Sequence, residues 1–63
     1  MQPHQKRVME EKDGLDKKLA KLSDFIDSEA FSGIDPAERV RLCRQWDVMK
    51  QYSNILGERI ANF

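Results

Sequence analysis

Three arginines, Arg39, Arg41 and Arg44, fall within six positions of the chain, and side chains of that type at that spacing suit an anion. Guanidinium forks pair with phosphate oxygens two at a time, and the free amides of a helix N-terminus add to the same field. The helix macrodipole disfavours cations in those early turns, so nearby acids or a bound anion must compensate Arg39 and Arg41. Lys6, Arg7 and Lys12 make a second basic group, joined by Arg59 if the two ends of the chain lie side by side. Tyr52 and Trp46 offer rings that can stack on a base or a partner. Catalysis finds no comparable footing. The chain has no nucleophile with a base at motif spacing, no glycine-rich phosphate loop and no paired metal ligands. His4 stands near the charged start, where solvation explains it. The residues point to binding, with no enzymatic activity, no metal and no cofactor.

The elements that must hold these residues are two helices. Val8, Leu15, Leu19, Leu22 and Ile26 recur at alternating steps of four and three, broken by Lys12. Leu42, Trp46, Met49, Ser53, Leu56, Ile60 and Phe63 repeat the pattern. This is the knobs-into-holes period, which keeps one stripe facing a partner helix. The spacing predicts a single domain over 1–63, with helices over about 3–27 and 36–62 and a connector over 28–35. The fold class is all-α, an antiparallel two-helix hairpin assembling into a helical oligomer. Pro3 suits a first helical turn. Asp35-Pro36-Ala37-Glu38 reads as a helix start, with Asp as N-cap, Pro at the first position and Glu at the third. Ser32-Gly33 supplies turn chemistry, and Phe31 and Ile34 are expected to plug the open end of the hairpin. Gly14 costs up to ~1 kcal/mol against alanine, which a close helix approach would offset; a local kink is the alternative.

Assembly is expected because the second helix is apolar over too wide an arc. Val48, Tyr52 and Ile55 form a second stripe, roughly 95° around from Leu42, Trp46 and Met49 at helical geometry. One neighbour cannot cover both, so Val48, Tyr52, Ile55 and Trp46 are the interface candidates. Trp46, in register with Leu42 and Met49, is expected to anchor the packing. Size points the same way: a chain of 63 residues encloses little core and needs a disulfide, a metal or self-association. One cysteine and one histidine rule out an internal disulfide and a Cys/His zinc site. Cys43, beside Leu42, reads as a small buried filler, and a lone thiol fits a reducing compartment. No apolar run approaches the ~20 residues of a membrane span, and the opening Met1–Arg7 is charged rather than signal-like. A cytoplasmic location follows as the expectation.

Net charge is zero, from 11 basic and 11 acidic residues, which argues against general nucleic-acid or membrane-surface binding. The charges are nonetheless segregated. From Leu22 to Glu38 all are acidic, and from Arg39 to Lys50 only Asp47 opposes Arg39, Arg41, Arg44 and Lys50. Pairing across the hairpin tip or between subunits is the simpler explanation, and an anion site is the sharper one.

His4-Gln5-x-Arg7-Val8, Leu15-Asp16-x-Lys18-Leu19-x-Lys21-Leu22, Phe25-Ile26, Arg41-Leu42-x-x-Gln45 and Tyr52-Ser53-x-Ile55-Leu56-Gly57-Glu58-Arg59-Ile60 resemble a family of short phage and prophage proteins. The likeness covers nearly the whole chain, and the run from Tyr52 to Ile60 is its most specific part. It implies action in the host cytoplasm. At the level of fold, the hairpin is also similar to the oligomeric sponges that counter CBASS and Thoeris immunity by trapping cyclic nucleotides. That likeness implies a non-enzymatic, oligomeric anti-defence protein that sequesters a nucleotide-type immune signal. The ligand-binding candidates are then Arg39, Arg41, Arg44 and Tyr52, or Lys6, Arg7, Lys12 and Arg59. The alternative is a protein–protein antagonist of a host defence or regulatory protein, docking through the Val48–Tyr52–Ile55 stripe.

Overall fold

A computed structural model describes residues 1–63. The chain is wholly helical: α1 (Pro3–Ile26), α2 (Glu29–Ser32) and α3 (Pro36–Ala61). α1 and α3 pack along one another as an antiparallel pair, giving a rod of 46 × 14 × 13 Å. No helix is long and apolar enough to cross a membrane.

Local chemistry sets the helix ends. α1 opens at Pro3, and the Gln2 backbone N–H donates to Gln5 Oε1 at 3.0 Å, satisfying a donor that the helix cannot. At the start of α3 the Asp35 carboxylate accepts from the Ala37 N–H at 3.1 Å, as an N-cap should. Glu38 does not complete a capping box: it accepts from Arg41 Nε at 2.7 Å. The connector is more ordered than its turn residues suggest. Glu29–Ser32 close a single helical turn, and Ser28 and Ser32 hydroxyls donate to the Phe25 and Glu29 carbonyls at 2.6 and 2.7 Å. That turn swings Phe31 onto Phe25, edge to face, with centroids 6.2 Å apart. Phe31 and Ile34 are both half-buried, so they cover the end of the seam.

The core is thin. Val8, Leu19 and Leu56 are the buried apolar residues, Leu56 completely so. Leu15, Leu22, Ile26, Leu42, Trp46, Met49 and Ile60 are half-buried, because each helix has a single long neighbour and the flanks of the seam stay open.

Three expectations are corrected. Cys43 is exposed, not a buried filler; it sits beyond the margin of the α3 stripe, on the open flank. Gly14 meets neither a close approach nor a kink: nothing lies within 4 Å of where its Cβ would be, and α1 runs unbroken through it. The glycine at a helix contact is Gly57, whose Cβ would stand 3.5 Å from Lys12 Cε. Finally, acids of the tip do not pair across it. The ion pairs are Lys12–Asp16, Lys17–Asp13 and Arg41–Glu38, all within one helix.

Candidate functional site

The two polar interruptions of the heptad stripes meet in the middle of the seam. Ser53 is only 2% exposed, and its hydroxyl donates to Asp16 Oδ1 at 2.5 Å while accepting from Lys12 Nζ at 2.8 Å. Lys12 also reaches Asp16 Oδ2 at 3.0 Å, closing a triangle between α1 and α3. The Ser53 hydrogen bond, and then that of Lys12, hold the Asp16 carboxyl below the ordinary carboxylate range, with further help from the Lys12 and Lys50 charges against desolvation. A seryl oxygen touched by a lysine amine is one half of an acylating dyad, but here the amine is committed to a carboxylate. The triangle ties α1 to α3 at one point of the seam, as polar residues in a heptad stripe can. Beside it runs an open groove walled by Lys12, Asp16, Ser23, Trp46, Lys50 and Asn54.

The arginine group lies toward the hairpin tip and is arranged differently. Arg41 is tied to Glu38. Arg39 is half-buried, with an Nε that has no hydrogen-bond partner. Arg44 is exposed and has no acidic partner. It stands on the ridge between two open depressions. One, of about 370 Å³, is lined by Arg41, Arg44, Gln45, Val48 and Met49. The other, of about 410 Å³, is lined by Arg39 and Arg44 with Phe31, Val40 and Asp47. Both are at the low end of the ~300–1,000 Å³ of small-molecule sites.

Of the second basic group, Lys12 belongs to the triangle, and Lys6 borders a depression with Met1, Met9, Glu10 and Asp13. Neither Arg7 nor Arg59 forms an ion pair. Among the interface candidates, Val48, Tyr52 and Ile55 stand out from α3 at 65%, 42% and 53% exposure. Trp46 is not with them: it turns into the seam, half-buried, and walls two depressions on the opposite flank. Its position on that open flank, with Lys50 beside it, was missed by sequence reasoning. The signal was present in Lys50, which lies one helical turn beyond Trp46 on the polar margin of the stripe.

The chain is 40% identical over 63 residues to an uncharacterised 7.5 kDa protein from the denB-rIIB intergenic region of Enterobacteria phage T4, covering 100% of this chain and 98% of the phage protein. No solved structure matches it. A family model described as Sequestin matches residues 2–62, nearly the full length, and the chain belongs to the Sequestin family.

Proposed function

We propose that this chain is a phage-derived, non-enzymatic binding protein that self-assembles in the host cytoplasm and sequesters a nucleotide-type immune signal. The observation that carries the reading is Arg44. It is an exposed guanidinium in no ion pair, shared between a depression that holds Arg41 and one that holds Arg39 and Asp47. Arginine in that state is free to fork onto a phosphate, and the macrodipole cost of cations in the first turns of α3 falls when an anion arrives. The family's name, Sequestin, supports retention of a ligand over its turnover. The Lys12 group supports the reading less, because its central amine is already spent on Asp16 and Ser53.

Isothermal calorimetry with cyclic di- and trinucleotides and cyclic ADP-ribose variants tests this. Wild type is expected to bind at least one of them without consuming it, and Arg44→Ala and Arg41→Ala to lose binding while keeping helicity. Unchanged binding in both variants would move the site to the Lys6–Arg7–Arg59 end. No binding to any of that panel, with a host protein recovered in stoichiometric amount, would replace the reading by the protein antagonist.

A further inference from the structure

Trp46 is the single tryptophan of the chain, half-buried on a flank of the seam that is otherwise open and polar. Two depressions meet at its indole. One, of about 300 Å³ toward the hairpin tip, holds Asp27, Cys43 and Asp47. The other, of about 350 Å³ further from the tip, is the groove of Lys12, Asp16, Lys50 and Asn54. Trp46 and Ser23 line both, so the two halves make one trough along the α1–α3 seam.

That trough is polarised. Side chains on a helix lean toward its N-terminus, which for α3 is the tip, so Asp47 serves the tip half although it follows Trp46 in the chain. Asp27, just past the end of α1, joins it there. Both carboxylates are exposed and outside every ion pair of the chain. At the far half Lys50 is exposed and unpaired as well. Asp16 also stands there, but its oxygens already accept from Ser53 and Lys12, and the Lys12 ammonium offsets its charge. Lys50 is therefore the surplus cation. The order along the trough is carboxylates, flat ring, ammonium.

We propose that this trough seats a guanine nucleotide, with the base on Trp46, its donor edge toward Asp47 and Asp27, and its phosphate on Lys50. A guanine nucleotide presents the same order of chemistry: two adjacent N–H donors, N1–H and the 2-amino group, then a flat ring, then an anion at the other end. Carboxylates accept from such a paired edge through charge-assisted bonds, the strong kind, and the indole supplies the stacking face. Other ligands match only part of the trough. Adenine turns its N1 lone pair toward the acids. A simple anion leaves the indole bare and meets two carboxylates, and a simple cation leaves Lys50 unanswered. The proposal rests on the reading above in taking a nucleotide as the ligand; it names the base and gives it a seat that Arg44 does not line.

Trp46 emission tests the seat directly, because a stacked base quenches the one indole present. Guanosine monophosphate is expected to quench it saturably, with a dissociation constant at least about fivefold below that of adenosine monophosphate, as a paired-edge contact discriminates. Lys50→Ala should weaken guanosine monophosphate about tenfold or more and leave unphosphorylated guanosine unchanged. Asp47→Asn should erase most of the preference for guanine. Arg44→Ala should leave the quenching as it is. These positions are exposed, and unchanged helical circular dichroism confirms that each variant folds. No saturable quenching by guanosine monophosphate, equal or tighter binding of adenosine monophosphate, or an unmoved constant in Lys50→Ala would each overturn the proposal. So would loss of quenching in Arg44→Ala, which would put the base at the arginines. The two readings fail separately. A cyclic nucleotide held in calorimetry without any change in Trp46 emission overturns the seat and keeps sequestration; quenching by guanosine monophosphate with no cyclic nucleotide held does the reverse.

Discussion

Leu56 and Ile55 are neighbours on α3, and they mark its two faces. Leu56 is completely buried against α1, while Ile55 is about half exposed on the other side. Both faces carry the four-three alternation, yet only one has a partner within the chain. Heptad spacing therefore identifies a seam without saying who fills it. α1 sharpens the contrast. Away from its single stripe it presents Lys17, Lys18, Asp13 and Glu10, a surface that water satisfies, so the two helices have unequal claims on further neighbours.

The largest effect should come from the inner face. Leu56→Ala removes the one fully buried side chain and should cost ~2–5 kcal/mol, enough to abolish a core this small. Ile55→Ala should leave the hairpin's helicity intact and weaken association instead. Thermal unfolding by circular dichroism, repeated over a range of concentrations, separates the two: loss of helix in both variants at every concentration would mean that the faces are equivalent.

Trp46 comes next. It shares the inner stripe with Leu56 but is half-buried on the open flank. Trp46→Ala should therefore cost clearly less than the ~3–5 kcal/mol of a fully buried ring, and the chain should still melt cooperatively. A loss of the full amount would show that something covers this flank, making it a second contact surface.

Smaller again is the seam triangle. Ser53→Ala should cost roughly 1–2 kcal/mol, as its hydrogen bonds to Asp16 and from Lys12 are both lost and those two groups turn partly to water. Because the Asp16 carboxyl titrates lower in the folded chain than in the unfolded one, its contribution is present above the ordinary carboxylate value of about 4 and lost as pH falls through the lowered one. Carboxyl NMR should show Asp16 titrating upward toward the ordinary value in Ser53→Ala. In Asp16→Asn this part of the acid dependence should vanish. An Asp16 titration unmoved by Ser53→Ala would dismiss the triangle as a surface ion pair.

Much of this was legible in the residues. Period and capping signals foretell two long helices, and the breadth of the α3 arc foretells the bare stripe of Val48, Tyr52 and Ile55. Lys12 and Ser53 were each visible as flaws in a stripe. Their meeting was not, because it depends on hairpin register, and register depends on how many residues the connector takes up in the α2 turn. The same gap hid the state of the arginines. Composition shows acids upstream of them, but only the fold shows that Glu38 pairs with Arg41 and that none of these acids pairs with Arg44. Cys43 was misjudged since one step along a helix turns about 100°, enough to leave the seam.

The smallest effect bears on the outer side of α1. Alanine in place of Gly14 should gain up to ~1 kcal/mol from helix propensity alone, since a Cβ there meets nothing within the chain. The gain is read as a higher urea midpoint at an unchanged slope. A loss of stability instead would show that something outside the hairpin packs against α1 at Gly14, which would make the outer side of α1, and not only that of α3, a contact surface.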